Sequence, residues 1–343
     1  MNSQKILITG ANGFVGRHLI AHLLGSSESG ASAADLFVEA SVLPSEMSTA
    51  IEWANGAGLP DWQDRLHWCE LDIGGSETDA KRSVCQILER SQVEFVVHLA
   101  ARASGADTDR EGVFETNVAG TERLLSAVSE TVGPAARVLL ISTGYAYGNT
   151  SIQRPAIETD PLAPTGLYGA YTDSKIAMER VASAYGEIAI VARSFSHTGP
   201  GQTPVFAVPS FAKQLARIEL GLESPEIRVG NLEAYRDMLD VRDVVRAYVS
   251  LVNEGVPGET YNVASGNPHR MRDILEQLQA LISTRVEIST DPARLRPADI
   301  ACSTGDTTRL RDRTGWQPRY TLSTTLNDTL NWWFVYEEGN GNR

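Results

Sequence analysis

The chain begins with a short apolar strand and a glycine-rich turn, and this pair constrains the fold more than any other feature. Residues 5–9 read KILIT, and glycines follow at positions 10, 13 and 16. Beyond the turn, apolar residues recur on one helical face at Val15, Leu19, Ile20, Leu23 and Leu24. Glycines in such a turn let the backbone approach a pyrophosphate, and the following helix supplies N–H donors. The sequence therefore predicts a dinucleotide-binding strand–turn–helix unit.

Further strands alternate with helical segments along the first 195 residues. The predicted strands are 36–38, 66–71, 95–99, 138–142 and 188–192, and the intervening helices include 80–91 and 113–132. This alternation predicts an α/β fold, a Rossmann-type doubly wound parallel sheet. Between the second and third strands, residues 42–66 contain Pro44, Gly56, Gly58 and Pro60, and we expect a surface insertion there.

The pattern changes after residue 195, which suggests a division of the chain. We expect an NAD(P)-binding domain over 1–195, which carries the catalytic residues. Residues 196–336 should form mainly a smaller mixed α/β substrate lobe on the carboxyl edge of the sheet, and short strands such as 261–263 are assigned to it. The polar residues 337–343 should be a frayed tail.

Charge and composition exclude several classes of partner. The net charge is -13, which disfavours binding to nucleic acid or to anionic membranes. Neither a signal peptide nor a transmembrane run is apparent, so we expect a cytoplasmic protein. The three cysteines, Cys69, Cys85 and Cys302, are far apart and form no CxxC pair, so no metal site is predicted.

Residues that follow the predicted strands are candidates for the cofactor site. They are Gly10, Gly13, Phe14, Val15, Gly16, Asp72, Ile73, Leu99, Ala100, Ala101, Asn117 and Ser142. The second strand should end beside the adenosine ribose, where an acidic residue favours NAD and an arginine favours NADP. Glu39, Ala40 and Ser41 are the candidates there, and no arginine is adjacent. The choice between NAD(H) and NADP(H) therefore stays open.

A YxxxK element provides candidate catalytic residues. Tyr171 and Lys175 lie one turn apart on one helical face, and Thr143 ends the fifth strand. A nearby ammonium should lower the pKa of the phenol and allow it to exchange a proton with a substrate oxygen. Both Tyr171 and Lys175 would also contact the cofactor. Tyr168 is a weaker candidate because its i+4 partner is Thr172.

These motifs resemble the extended short-chain dehydrogenases/reductases, which include nucleotide-sugar epimerases, dehydratases and reductases. The resemblance rests on GxxGxxG, His98-Leu99-Ala100-Ala101, 117–121, Tyr147-Gly148 and YxxxK. In the second half, 193–202 (RSFSHTGPGQ), 229–232, 236–243, 261–263 and 291–297 are similar to segments of GDP-6-deoxy-D-mannose reductases. GDP-mannose 4,6-dehydratases share part of this pattern.

The resemblance implies NAD(P)H-dependent reduction at C4 of a GDP-linked, or other nucleotide-linked, 4-keto-6-deoxyhexose. It implies Thr143, Tyr171 and Lys175 as the catalytic set. Arg236 and Arg296 would bind the diphosphate, and Asp299 would bind the ribose of the sugar nucleotide. Further substrate candidates are Arg102, Ser196 and Arg217. It also implies a homodimer through the helix 113–132 and the helix that bears Tyr171.

Two departures from the family pattern keep alternatives open. Ser196 replaces an expected asparagine, and Gly144-Tyr145 stands where the dehydratases carry a polar or acidic residue followed by glutamate. The missing acid–base pair argues against dehydration and leaves reduction possible. The alternatives are a nucleotide-sugar 4-epimerase or 4,6-dehydratase of the same fold, and a non-catalytic NAD(P)-binding regulator.

Overall fold

The computed structural model describes residues 4–25, 36–103, 109–295 and 299–341. The strands are β1 Gln4–Thr9, β2 Leu36–Val42, β3 Leu66–Glu70, β4 Phe95–His98, β5 Arg137–Thr143, β6 Ala189–Ser194, β7 His197–Thr198, β8 Glu226–Val229, β9 Tyr235–Asp237, β10 Leu239–Asp240, β11 Thr260–Val263, β12 Pro268–Arg270, β13 Glu287–Thr290 and β14 Cys302–Ser303. The α-helices are α1 Phe14–Gly25, α2 Met47–Gly56, α3 Trp62–Arg65, α4 Glu77–Ser91, α5 Arg110–Phe114, α6 Gly120–Thr131, α7 Gly169–Ser183, α8 Ala207–Glu219, α9 Val241–Glu254, α10 Met271–Gln279, α11 Thr308–Thr314 and α12 Leu322–Gly341.

The main sheet has seven parallel strands in the order β11-β6-β5-β4-β1-β2-β3. The strand order reverses beside β1, where the chain passes from one half of the sheet to the other. In open α/β sheets, ligands bind at the carboxyl ends of strands next to such a reversal. The predicted Rossmann-type fold is therefore confirmed, and the glycine turn after β1 lies at the expected place.

Both faces of the sheet are covered, which explains why its strands are apolar without a strict alternation. Along β1, Ile6 and Ile8 pack into one core with α1 and α9, whereas Leu7 packs into the other with α4 and α6. Successive strand residues point to opposite faces, so one short strand contributes to two cores.

The segment 42–66 is the crossover between β2 and β3, so the expectation of an irregular surface insertion is wrong. Pro44 opens a 3-10 turn, and α2 follows with Ala50 and Ala54 buried one turn apart. Trp53 packs against Trp68 of β3 at 6.5 Å between ring centroids. The prolines and glycines had obscured the helix because they lie at its two ends, where they begin and stop it.

Part of the predicted substrate lobe returns to the main sheet. β11 pairs in parallel with β6 and forms the edge strand, and Val244, Tyr248 and Leu251 of α9 belong to the same core as β1. The interval 196–336 is therefore not one continuous lobe. The rest of it has its own core, in which α8, α10 and α12 pack against β8. The division of the chain into two parts, with β11 and α9 now assigned to the main sheet, remains a prediction.

The carboxyl-terminal residues 337–341 continue α12, so the expected frayed tail does not begin at residue 337. Glu337 is buried and its carboxylate pairs with Arg217 and Lys213 of α8. These ion pairs hold the last helix, α12, against α8. Residues 342–343 lie outside the described part of the chain.

Candidate active site

The glycine turn between β1 and α1 packs tightly against its surroundings. Gly10 has φ +66°, in the left-handed region, and a Cβ there would lie 2.7 Å from the backbone nitrogen of Ala100. A Cβ on Gly16 would lie 2.5 Å from the carbonyl oxygen of Ala11. Neither position has room for a side chain, so glycine is needed for the close packing of the turn against the loop after β4 and against the start of α1.

The residues of this turn fit the pyrophosphate of a dinucleotide. Helix α1 begins at Phe14, directly after Gly13, so the N–H groups of Phe14, Val15 and Gly16 belong to its first turn. First-turn N–H groups have no intrahelical acceptor, and with the helix dipole they attract phosphate. NAD(P) held here would supply the hydride chemistry of the site.

The loop after β4 is fixed at the base of the same site. The Ala100 N–H donates to Thr9 Oγ1 at 3.2 Å, and the Leu99 N–H donates to the Thr9 carbonyl. Asn117 accepts the Arg102 N–H at 2.8 Å and donates to Ser174 Oγ at 2.9 Å. The predicted cofactor residues Leu99, Ala100 and Asn117 are therefore brought together, and Asn117 connects this loop to α7. Ala101 is exposed beside them.

Three other predicted cofactor residues use their side chains within the protein. Asp72 accepts the N–H of Gly74 at 3.1 Å, which folds its carboxylate back on its own turn. Ile73 is buried and packs on Gly120, where a Cβ would lie 2.9 Å from the Ile73 carbonyl oxygen. Ser142 donates its hydroxyl to Glu179. Their roles toward the cofactor stay predictions.

The candidates for contact with the adenosine ribose are also engaged elsewhere. The Glu39 carboxylate is buried and binds His67 Nδ1 at 2.8 Å, Arg90 at 3.1 Å and the hydroxyl of Ser91. Ala40 has no polar side chain, and the carbonyl of Ser41 accepts the N–H of Ala11 at 3.0 Å. The carboxylate of Glu39 is therefore already bound by His67 of β3 and by Arg90 and Ser91 of α4.

The catalytic candidates converge at the carboxyl end of β5. Lys175 Nζ lies 5.9 Å from the centroid of the Tyr171 ring and donates to the Ile141 carbonyl at 2.7 Å. Thr143 Oγ1 accepts the N–H of Tyr145 at 3.2 Å, which leaves the Thr143 hydroxyl proton free to donate. The hydroxyl of Thr143 thus lies at the end of β5, and the phenol and ammonium lie on α7, which packs against that strand.

The direction of the Tyr171 pKa differs from the sequence-based expectation. Burial, with a smaller contribution from Tyr145, raises the pKa of Tyr171 to about 12. Burial likewise lowers the pKa of Lys175 to about 8, against an opposing effect of Glu179. The expected lowering of the phenol pKa by Lys175 is therefore wrong for this structure, because desolvation of the buried phenol dominates the shift. A phenol that stays protonated at neutral pH is suited to donate a proton rather than to remove one.

A buried ion pair lies behind the catalytic set, and motif analysis did not identify it. Glu179, one turn beyond Lys175 on α7, pairs with Arg193 of β6 at 2.7 Å, and both side chains are nearly buried. Arg193 also donates to the Tyr147 hydroxyl at 2.8 Å. This pair fixes α7 against β5 and β6. The only signal in the sequence was the i+4 spacing of Lys175 and Glu179.

Tyr145, which is close enough to Tyr171 to influence its pKa, is contacted by residues from the second half of the chain. The Tyr145 hydroxyl lies 3.2 Å from Ser196 Oγ, and the Arg236 guanidinium carbon lies 5.8 Å from the Tyr145 ring centroid. Arg236 pairs with Asp299 at 2.9 Å and donates to the Ile300 carbonyl at 2.6 Å. Three predicted substrate residues, Ser196, Arg236 and Asp299, are thus brought to one place.

The remaining predicted substrate residues are placed differently. Arg102 pairs with Asp109 at 2.7 Å, close to the loop after β4. Arg217 lies near the carboxyl end of α8 and is held by Glu223 and Glu337, so it joins α8 to α12. Arg296 lies outside the described residues.

Asp237 is a buried carboxylate whose importance the sequence did not reveal. It accepts N–H groups from Ser265 at 2.7 Å and Gly266 at 2.9 Å, and hydroxyl groups from Ser265 and Thr304. It therefore fixes two loops, around Ser265 and around Thr304, to strand β9 on the lobe side of the site. Its position directly after Arg236 in the sequence was the one available signal.

Comparison with known proteins agrees with this geometry. Residues 7–329 match the family described as GDP-mannose 4,6 dehydratase. GDP-6-deoxy-D-mannose reductase of Pseudomonas aeruginosa PAO1 is 32% identical over 338 residues, which cover 96% of this chain and 97% of that protein. GDP-6-deoxy-D-talose 4-dehydrogenase of Aggregatibacter actinomycetemcomitans is 26% identical over 93% of this chain and 94% of its own length. The structure of RMD from Pseudomonas aeruginosa complexed with NADPH has a TM-score of 0.78 and 29% identity, and the match covers 97% and 98% of the two chains.

The chain belongs to the GDP-mannose 4,6-dehydratase-like family of extended short-chain dehydrogenases. Like the members it resembles, it is an NAD(P)-dependent oxidoreductase, and the cofactor is NAD(H) or NADP(H). Across the described residues, none of the helices is both long and apolar enough to cross a membrane. No cluster of three or more metal-binding side chains occurs among those residues.

The family comparison bears on Gly144 and Tyr145, the two residues that follow Thr143. The ring of Phe195 closes the space beside Gly144, where a Cβ would lie 2.6 Å from Phe195 Cδ1. The backbone therefore has no room for the polar or acidic side chain that family dehydratases carry at this position. By the family resemblance, Tyr145 stands where the dehydratases carry a glutamate, and its hydroxyl lies 3.2 Å from Ser196 Oγ. The two residues that the resemblance assigns to dehydration are therefore replaced by a glycine and a phenol in this chain.

Proposed function

We propose that this chain reduces the C4 carbonyl of a GDP-linked 4-keto-6-deoxyhexose with NAD(P)H. Tyr171 donates the proton to the C4 oxygen, and Lys175 and Thr143 assist. A bound reduced nicotinamide would supply a hydride to C4, which, together with the proton that Tyr171 gives to the oxygen, converts the carbonyl to an alcohol. The relatives named above support the substrate class.

The observation that carries the proposal is the pair Gly144-Tyr145. Elimination of water across C5 and C6 needs one group to remove a proton and another to protonate the leaving hydroxyl. Phe195 leaves no space for a side chain at Gly144, and Tyr145 is a phenol. Reduction requires neither group, because a single proton donor is sufficient.

The protonation state of Tyr171 supports the direction of the reaction. With its pKa raised to about 12, Tyr171 is fully protonated near neutral pH. Thr143 presents a free hydroxyl proton to the same oxygen. When the proton moves to the substrate, the nearby Lys175 ammonium stabilises the phenolate that remains.

Recognition of the sugar nucleotide is assigned to the cluster around Tyr145. Ser196 and Tyr145 lie next to the catalytic phenol and would contact the hexose. Arg236, and Arg296 by the family resemblance, would bind the diphosphate, and Asp299 would bind the ribose. A guanidinium binds a diphosphate through paired hydrogen bonds, which suits this role. The specificity for GDP is part of the proposal.

The test is incubation of the purified protein with GDP-4-keto-6-deoxymannose and either NADH or NADPH, followed by NMR of the product. We expect stoichiometric consumption of the reduced cofactor and an alcohol at C4, whose configuration the NMR also assigns. The dTDP-linked keto sugar is the matched control for the base. Tightly bound NAD with no net consumption would support an epimerase or dehydratase instead. Cofactor binding with no turnover of either keto sugar would support the regulator.

A homodimer through α5, α6 and α7 also remains a proposal. Helix α7 carries Tyr171 and Lys175, so a dimer interface on this helix would help to hold the two catalytic candidates in place. Light scattering of the purified protein measures its mass directly. A monomer at micromolar concentration would remove this part of the proposal.

A further inference from the structure

Two adjacent residues at the start of α5 carry opposite charges and pair with different parts of the molecule. Asp109 pairs with Arg102, in the loop after β4, at 2.7 Å, and Arg110 donates to Asp173 of α7 at 2.8 Å. The carboxylate of Asp109 also accepts the Gly112 N–H at 3.0 Å and so caps α5. Helix α5 therefore links the loop beside the cofactor site to α7, the helix of the catalytic candidates.

Asp173 is the buried member of the second pair. It occupies one of the three variable positions of the YxxxK element, and its side chain is 1% exposed. One carboxylate oxygen accepts the N–H of Gly166, in the loop that precedes α7, at 2.8 Å, and Arg110 binds the other oxygen. A buried carboxylate without its cation is strongly unfavourable, so Arg110 is held firmly at this place. The start of α5 and the loop before α7 are thus fixed to one point on α7.

The same face of α7 carries an apolar contact that reaches Tyr171. Asp173 and Ala170 are three residues apart, so they lie on one face of the helix, the face that α5 covers. Val113 of α5 is fully buried and packs on Ala170, and Tyr171 packs against this pair of side chains. Tyr171 is therefore in contact with α5, whose position depends on the ion pair between Arg110 and Asp173.

We propose that Arg110 and Asp173 are positioning residues, which act through Val113 of α5 to orient the phenol of Tyr171 toward the substrate carbonyl. The role of the phenol rests on the proposed function, whereas its orientation by the ion pair does not. Asp173 itself points away from the reacting atoms, because residues two apart in an α-helix are about 200° apart around its axis. A displacement of about 1 Å at a catalytic group can lower a rate by about 100-fold, so a contact remote from the reacting atoms affects turnover.

Turnover measurements test this role through the difference between effects on kcat and on KM. We expect Arg110→Gln to lower kcat by about 10-fold and to leave the KM values for the sugar nucleotide and the cofactor within about twofold. Arg110→Lys keeps the charge and should recover most of kcat. Asp173→Asn keeps an acceptor for the Gly166 N–H and leaves no buried charge, so it provides the same test if Arg110→Gln does not fold. Arg180→Gln removes an exposed arginine from α7, and as the matched control it should change neither kcat nor KM.

A label on the phenol tests its orientation without any substrate. With 3-fluorotyrosine in place of Tyr171, fluorine NMR of the otherwise unaltered protein should show one signal. Arg110→Gln should shift or broaden that signal, whereas Arg110→Lys and Arg180→Gln should not.

A fluorine signal that Arg110→Gln and Asp173→Asn both leave unchanged would overturn the inference. An unchanged kcat in both variants would also overturn it, and so would a tenfold rise in either KM at constant kcat, which would assign the pair to ligand binding. If the signal responds but the unaltered protein reduces no keto sugar, the proposed function fails and the positioning of Tyr171 by the ion pair survives.

Discussion

The two ends of the candidate site are built in different ways. At the cofactor end, Gly10, Thr143 and Lys175 are fixed by contacts with main-chain atoms of neighbouring elements. At the substrate end, Arg236 donates through Nη1 to the Tyr235 and Ile300 carbonyls, but its Nη2 is paired with the carboxylate of Asp299. Main-chain contacts survive ligand binding, whereas an arginine–carboxylate pair competes with the phosphate and ribose it is meant to bind. The cofactor end is therefore preorganised, and the substrate end must exchange partners when the sugar nucleotide arrives.

The largest effect should come from removing the proton donor at the preorganised end. Tyr171→Phe keeps the ring and its packing but removes the proton, so we expect kcat to fall by about 10²- to 10⁴-fold. Binding of NAD(P)H, measured by calorimetry, should change little. Tyr168→Phe is the matched control, because Tyr168 lies just before α7 and its hydroxyl accepts from Asn149 at 3.3 Å. Near-normal turnover by Tyr171→Phe would remove Tyr171 from the mechanism.

At the substrate end, Arg236→Gln should weaken binding of the sugar nucleotide more than it slows the chemical step. The variant loses the charge that we assign to the diphosphate and leaves Asp299 with Asn231 as its remaining partner at 2.7 Å. We expect the KM for the sugar nucleotide to rise about 10- to 100-fold, the range of a charge-assisted hydrogen bond. The KM for the cofactor should stay within about twofold. Equal increases in both KM values would place Arg236 outside the substrate site.

The pH profile of reduction distinguishes the two titrating groups of the preorganised end. Tyr171, with its pKa raised to about 12, stays protonated throughout the working range. Lys175, with its pKa lowered to about 8, loses its positive charge as the pH rises above that value. Since the ammonium stabilises the phenolate formed during turnover, kcat at saturation should be level below pH about 8 and fall by up to tenfold per pH unit above it.

Measurement of kcat from pH 6 to 10 checks this prediction, and Lys175→Met is its control. The variant should be slow at every pH, and the alkaline fall attributed to Lys175 should be absent. A level profile to pH 10 in the unaltered protein would mean that the charge of Lys175 does not assist the phenol.

The same contrast explains how much the sequence could predict. The glycine turn and the YxxxK pair are local patterns, because a few residues at fixed spacing define both the backbone and the chemistry. The fold, the catalytic candidates and the family resemblance could therefore be predicted. The helix α2 was missed because Pro44 and Gly56 mark its ends and were interpreted as a loop. The placement of β11 in the main sheet was missed because pairing between β11 and β6 is not local.

The roles of charged side chains were harder to predict, because they depend on which residues the fold brings next to them. Glu39 was a candidate for the ribose but binds Arg90 and His67, and Arg217 was a candidate for the substrate but binds Glu223 and Glu337. The raised pKa of Tyr171 was also missed, since desolvation depends on the packing around the phenol. Spacing along the chain does not determine any of these.

Substitution of Arg217 should have the smallest effect, and it tests whether this residue belongs to the substrate end. Its place on the first helix of the lobe made it a candidate for substrate contact, whereas the structure pairs it with Glu223 and Glu337 between α8 and α12. Arg217→Gln should therefore leave the sugar-nucleotide KM within about twofold. It should lower the free energy of unfolding in urea by about 1 kcal/mol or less, because the pair is partly solvated and Lys213 remains near Glu337. A tenfold rise in KM with unchanged stability would instead assign Arg217 to the substrate end, where pairs exchange on binding.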